Sequence, residues 1–218
     1  MTTQYINIQD YAVQELMQQD PTLAKLIQHI GNIEIPLRPD PLKSLIRSII
    51  GQQITVKAAA AIFQRFSIAI HDIWSVQVIS NLSETEMRNL GLSKSKISYV
   101  QNLLSHVEQN KLDFTALSRL NDSDAKHALT EIKGIGQWTA EVFLMFTLQR
   151  QNVLPIYDVG LQKAAQWLYQ TSTLERKKQL KLCRERWSPY ASIGAFYLWK
   201  AIHQNLLSYD SIDSLTNE

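Results

Sequence analysis

Two stretches of this chain carry residue types that can do chemistry, and the length of one helix separates them. The first is the glycine pair of Lys133-Gly134-Ile135-Gly136-Gln137; the second is Asp158, within Leu154-Pro155-Ile156-Tyr157-Asp158-Val159-Gly160. Two glycines one residue apart, closing one helical pattern and opening the next, permit a turn that uses positive φ and leaves the backbone bare. Amides at the start of the second helix lack intrahelical partners and sit at the positive end of its dipole, so they can hold a phosphate oxygen without reading a base. On its own a Gly-x-Gly of this kind is first an ordinary corner between helices. Asp158 precedes the stripe Leu161, Ala164, Ala165, Leu168 and is placed to be its N-cap. A carboxylate at a helix start is favoured by the dipole and is also the group that stabilises a developing oxocarbenium sugar. Taken alone, Asp158 is a structural cap.

Helices must position both stretches. Asp20-Pro21 and Asp40-Pro41 each read as an N-cap followed by proline at the first helical position. The stripes Leu23, Leu26, Ile27, Ile30 and Leu42, Leu45, Ile46, Ile49, Ile50 follow them. Gly51-Gln52-Gln53-Ile54-Thr55 makes a short polar turn before a helix from Val56 to Phe66 that Thr55 caps. Ser83 with Glu86 forms a capping box, Leu82 with Met87 a hydrophobic staple, and Gly91 a stop. Ser93 opens the helix of Ile97, Val100, Leu104 and Val107, and Ala125, Ala128, Leu129 and Ile132 mark one that ends at Gly134. Ser188-Pro189 starts a last helix running to about Leu207, apolar nearly all round and therefore buried. Only Tyr5 to Ile8 and Ile33 to Leu37 alternate like strands. The expected fold class is all-α.

The chain has 218 residues, 45% apolar and 19% charged, enough for a sizeable core in one large domain or two small ones. A single cysteine, Cys183, excludes an internal disulfide framework and a four-cysteine zinc or iron-sulfur site within the chain. The start, Met-Thr-Thr-Gln-Tyr-Ile-Asn, does not read as a signal peptide. The longest apolar stretch, around Val142 to Leu148, is far short of the roughly 20 residues a membrane span needs, so no membrane is expected. Net charge is +2, but Glu175 to Arg186 holds six basic residues (Arg176, Lys177, Lys178, Lys181, Arg184, Arg186) against Glu175 and Glu185. On charge alone that segment is a solvated helix face before it is a phosphate-binding one.

Order and company change the reading of the glycine pair. Leu-x-x-x-x-Gly-Ile-Gly-x-Trp-Thr-Ala from Leu129, followed by Pro155-Ile156-Tyr157-Asp158, resembles the helix-hairpin-helix DNA glycosylase superfamily with its Gly/Pro-rich segment and aspartate. Further blocks match: Ile49 to Ala59, Leu90 to Lys96, and Trp187-Ser188-Pro189-Tyr190 leading to Tyr197-Leu198-Trp199. Within the superfamily they are most similar to 3-methyladenine DNA glycosylase II. The resemblance implies two helical lobes, 42–150 and 1–41 plus 151–218, with the active site in the cleft between them. It implies excision of alkylated purines such as 3-methyladenine and 7-methylguanine from double-stranded DNA by a monomer that needs no cofactor. The enzyme would act in the cytoplasm with a bacterial chromosome, or in a nucleus. Asp158 takes the catalytic aspartate's position, and Lys133, Gly134, Ile135, Gly136 and Thr139 form the DNA-binding hairpin, whose carbonyls are a candidate seat for a monovalent cation; no metal is expected on side chains.

Trp138 stands where lyase-competent relatives carry a lysine, which implies hydrolysis without strand cleavage. Trp199 and Trp138, with Tyr190 and Tyr157, match pocket aromatics suited to a cationic base, while Trp74, Trp167 and Trp187 read as core. Gln53 and Ile54 match the side chains that fill the stack when a base is flipped out, and are equally a solvated connection. Lys94 and Lys96 match contacts to other phosphates, or form a wet surface. Two positions depart from the pattern: Ala191, where an arginine commonly follows Trp-x-Pro-Tyr, and Val142, where some relatives place a pocket tyrosine. About 40 residues precede the first matching block, too few for the β domain some relatives carry there. Two rivals remain: a non-catalytic sensor of alkylated DNA with the same fold, and a helical interaction module whose Gly-Ile-Gly is only a corner.

Overall fold

A computed structural model describes residues 2–171 and 176–217; Glu175 lies outside the described residues. In chain order the elements are β1 (Thr3–Ile6), α1 (Tyr11–Gln19), α2 (Pro21–Ile30), β2 (Ile33–Pro36), α3 (Pro41–Gly51), α4 (Val56–Ala69), α5 (Val76–Ser80) and α6 (Glu84–Asn89). They continue with α7 (Lys94–Glu108), α8 (Phe114–Arg119), α9 (Asp122–Thr130), α10 (Gln137–Phe146), α11 (Val159–Tyr169), α12 (Arg176–Arg186) and α13 (Ala191–His203). Short 3-10 turns follow at Leu206–Ser208 and Ile212–Asn217. The fold is all-α apart from a two-stranded antiparallel ribbon that pairs Thr3 with Pro36 and Ile6 with Ile33. The chain forms two compact units, Arg38–Leu148 and Met1–Leu37 with Gln149–Glu218.

In the Arg38–Leu148 unit, helix starts are set by side chains. Asp40, Thr55, Ser83 and Ser93 each accept the amide of the third residue of the helix they precede, and Ser83 with Glu86 completes a capping box. Each such cap is worth about 1 kcal/mol. Leu45, Ile46, Ile49 and Ile50 of α3 are fully buried, and α3 packs on α4, α7 and α10. From Thr139 to Met145 every residue of α10 is buried, so the helix that follows the glycine pair is fixed by the core.

In the other unit α13 is buried from Ala191 to Leu198 and packs on α2, α11 and α12. Gly194 lets Trp187 lie against it: a Cβ there would be 2.3 Å from the Trp187 ring. At the foot of this packing Asp20, 1% exposed, caps α2 and accepts hydrogen bonds from Tyr169 Oη, Trp187 Nε1 and Arg186 Nη1. Burial alone would raise the Asp20 pKa, but these bonds, the Leu23 amide and the Arg186 charge outweigh it and hold the carboxyl below its ordinary value. A depressed folded pKa stabilises the native state above the unfolded carboxyl's pKa of ~3.9, and that contribution is lost as pH falls through the lower folded value. Asp20→Asn should therefore cost roughly 2 kcal/mol in urea unfolding at neutral pH. The gap between wild type and variant should close as the pH is taken below ~4.

Several boundaries differ from the sequence expectation. The last helix does not start at Ser188-Pro189, whose peptide is cis; the Tyr190 amide closes a turn on the Trp187 carbonyl (2.7 Å), and α13 begins at Ala191. It ends at His203 instead of near Leu207, because Asn205 takes a left-handed conformation (φ 58°). The helix before the glycine pair stops at Thr130, with turns bridging to Gly134. Helices α1, α5 and α8 carry no readable stripe because each buries only one or two side chains: Val13 and Leu16, Ile79, and Leu117. Trp187 is core, but Trp74 and Trp167 are half-buried. Trp74 stacks on Phe63 and gives its indole N–H to Asp72, and Trp167 gives its own to the Tyr209 carbonyl, so both stay where a polar partner is in reach.

Candidate active site

The two glycines of the hairpin answer to different constraints. Gly134 has φ +100°, and a Cβ on it would lie 2.2 Å from Cγ of Tyr99 in α7, so only glycine fits. Gly136, the N-cap of α10, has an ordinary φ of −87° and nothing within 4 Å of where its Cβ would be. Its lack of a side chain is not demanded by the fold. It leaves an open surface at the start of α10, where no side chain caps the first amides. Lys133 is exposed beside it, whereas Ile135 and Thr139 are each 3% exposed and anchor the turn.

Two contacts join the hairpin to the Gln52–Ile54 turn and to α7, and a third joins α7 to the end of α3. Gln52 Nε2 donates to the Gly134 carbonyl (2.8 Å), Lys96 Nζ donates to the Ile50 carbonyl (2.8 Å), and the Tyr99 ring lies under Gly134. Burial lowers the Lys96 pKa, and its ammonium ties down the end of α3, while Lys94 is exposed. Gln53, at φ 57°, and Ile54, 38% exposed, project from the turn so held. Gln52 and Tyr99 were not singled out from the sequence; they act across long stretches of chain and leave no local pattern. The Ile132 and Gly134 carbonyls, on a candidate cation seat, already accept the Ile135 amide and Gln52. Among the described residues no cluster of His, Cys, Asp and Glu could hold a metal ion, and no helix is long and apolar enough to cross a membrane.

Asp158 is the N-cap of α11 and its Oδ1 accepts the Leu161 amide (2.8 Å). The loop delivering it is held from inside by Ser192, a third residue that sequence patterning does not single out. Ser192 Oγ accepts the Val153 amide (2.9 Å) and lies within 3.0 Å of the Arg150 and Val153 carbonyls, while its own amide bonds the Gln151 carbonyl. Tyr157, 47% exposed, lies beneath Lys177, whose Nζ is 4.1 Å from the ring centroid. Tyr190 stands at the head of α13, and its hydrogen bond to Glu15 raises its pKa. Trp199 is half-buried, tilted against Phe196 at 6.2 Å; Trp138, in the first turn of α10, is 39% exposed. Ala191 and Val142, the two departures from the pattern, are both buried.

Residues 46–189, which include the glycine corner, the apolar helix after it and Asp158, match the HhH-GPD superfamily of base excision DNA repair proteins. The chain belongs to that family. This HhH-GPD chain is similar in structure to the DNA-3-methyladenine glycosidase of Bacillus halodurans, with a TM-score of 0.89 and 37% identity over 99% of this chain and 100% of that one. Schizosaccharomyces pombe 3-methyladenine DNA glycosylase Mag1, solved in complex with abasic DNA, superposes with a TM-score of 0.78 at 29% identity over 89% of this chain and 97% of that one. YfjP of Bacillus subtilis is 30% identical over 165 residues, 72% of this chain, which spans only 58% of that relative's length.

Proposed function

We propose that this HhH-GPD protein is a monofunctional DNA glycosylase that removes alkylated purines, of the 3-methyladenine and 7-methylguanine type, from double-stranded DNA, working as a monomer on the chromosome. The observation that carries this reading is Asp158, fixed by the Leu161 amide at the head of α11 by a loop that Ser192 holds from within. As the C1′–N bond breaks, its electron pair leaves with the base. A ring-alkylated purine is cationic and departs neutral, so no acid has to protonate it. The Asp158 carboxylate stabilises the positive charge left on the sugar, orients the water that adds to C1′ and takes the proton that this water gives up. Trp138, Trp199, Tyr157 and Tyr190 supply electron-rich faces for such a base. Gln53 and Ile54 fill the gap it leaves, and the open amides after Gly136, with Lys133 and Lys94, grip phosphates. Lys96, bonded to the Ile50 carbonyl, serves to hold the wedge turn.

Trp138 in the hairpin offers no amine to the sugar, so strand cleavage is not expected. Incubating the protein with methylated duplex should release 3-methyladenine and 7-methylguanine and leave alkali-labile sites. Borohydride should trap no covalent protein–DNA adduct; a trapped adduct would place a lyase here. No base release with tight binding to abasic duplex would favour a damage sensor, and neither release nor binding would favour an interaction module.

A further inference from the structure

The six basic side chains of α12 divide into two sets. Arg176 donates to Gln166, and Arg186 reaches Asp20 and lies over the Tyr169 ring, so these two are used within the unit. Lys177, Lys178, Lys181 and Arg184 have no carboxylate partner among the described residues. Spacing of i, i+4 and i+7 puts Lys177, Lys181 and Arg184 on one flank of the helix, next to its buried face of Gln179, Leu180 and Cys183. That flank begins at the candidate catalytic loop, because Lys177 sits on the ring of Tyr157, the residue before Asp158. An aromatic face fixes an ammonium in place without neutralising it, and leaves N–H donors for an anion. Glu185, one turn beyond Lys181, is the one acid of α12 near this flank, and the three cations against it leave a local positive field that a regularly charged polyanion relieves.

We propose that this flank is a track for DNA phosphates that starts at Asp158: Lys177, seated on Tyr157, holds the phosphate beside the nucleotide being excised, and Lys181 and Arg184 hold phosphates farther along the same strand. From Lys177 to Arg184 the helix rises about 10 Å, which is about three nucleotide steps of one strand at ~3.4 Å each. The inference rests on the glycosylase reading and names a surface that reading does not use. A positioning role for Lys177 also gives the basic helix a reason to pack on α11, the helix that Asp158 caps.

The test compares the full-length wild type with Lys177→Gln, the triple variant Lys177→Gln/Lys181→Gln/Arg184→Gln, Lys177→Arg, and Lys111→Gln as a charge-matched control on an exposed loop. Binding to a duplex with a stable abasic analogue is measured against salt concentration, and base release in single turnovers. Lys177→Gln should reduce the slope of log affinity against log salt by about 1, and the triple variant by about 2–3. Lys177→Gln should also slow release several-fold, Lys177→Arg should restore most of it, and Lys111→Gln should match the wild type. An unchanged slope in a folded triple variant, or an equal change in Lys111→Gln, overturns the track. Wild-type protein that binds the abasic duplex but releases no base would sink the glycosylase reading while the slopes still decide this one.

Discussion

Asp158→Asn is expected to lower base release from methylated duplex by roughly 100-fold or more while leaving affinity for an abasic duplex within a few-fold of the wild type. Asparagine can still accept the Leu161 amide through its side-chain oxygen, so the cap on α11 survives and the loop tied to Ser192 should keep its course. What disappears is the negative charge beside C1′, which matters only once the sugar becomes cationic. The variant separates the two roles open to this residue: a capping role alone predicts little loss of turnover, and a catalytic role predicts loss of the chemical step with binding intact. Full activity in a folded Asp158→Asn protein would remove the aspartate from the mechanism.

The second large effect sets the two hairpin glycines against each other. Gly134→Ala must hold an alanine at φ +100° and displace the Tyr99 ring, which a Cβ would meet at 2.2 Å. Such a change should cost roughly 3–5 kcal/mol in chemical unfolding. At Gly136 the φ is ordinary and the space is open, so alanine should cost under ~1 kcal/mol of stability. That same methyl group would stand between the first amides of α10 and an approaching phosphate, and Gly136→Ala should weaken DNA binding roughly tenfold. Equal and small effects of Gly136→Ala on stability and on binding would make the hairpin a corner and nothing more.

In the sequence these glycines look alike, since what distinguishes them is the positive φ of Gly134 and the Tyr99 ring against it, from a helix that starts 40 positions upstream. The same limit recurs. Caps are local, so Asp20, Asp40, Thr55, Ser83 and Ser93 could be read from their neighbours, and each accepts amides of the helix it precedes. The buried last helix was legible from its composition, and the family from the order of its blocks, as the match over residues 46–189 bears out. Gln52 finds the Gly134 carbonyl across 82 positions and Ser192 finds Val153 across 39, and nothing in a linear pattern announces such bonds. The last helix begins late because Trp187, Ser188 and Pro189 turn instead of coil, a choice made by packing against Gly194 and Asp20. Position in the chain, then, singles out the candidate groups; the contacts that hold them still, Gln52 to Gly134 and Ser192 to Val153, are visible only in three dimensions.

The unit bearing Asp158 is assembled from both ends of the chain, with Arg38–Leu148 inserted between. During synthesis β1, α1 and α2 emerge before the inserted unit and must wait for α11 to α13 before their apolar faces are covered, a delay of roughly 9–35 s at about 5–20 residues per second. The inserted unit is complete earlier. A growing polypeptide therefore possesses its glycine corner, the Gln53–Ile54 turn and Trp138 before Asp158 has been translated, so the candidate phosphate-holding hairpin is complete ahead of the candidate catalytic carboxylate.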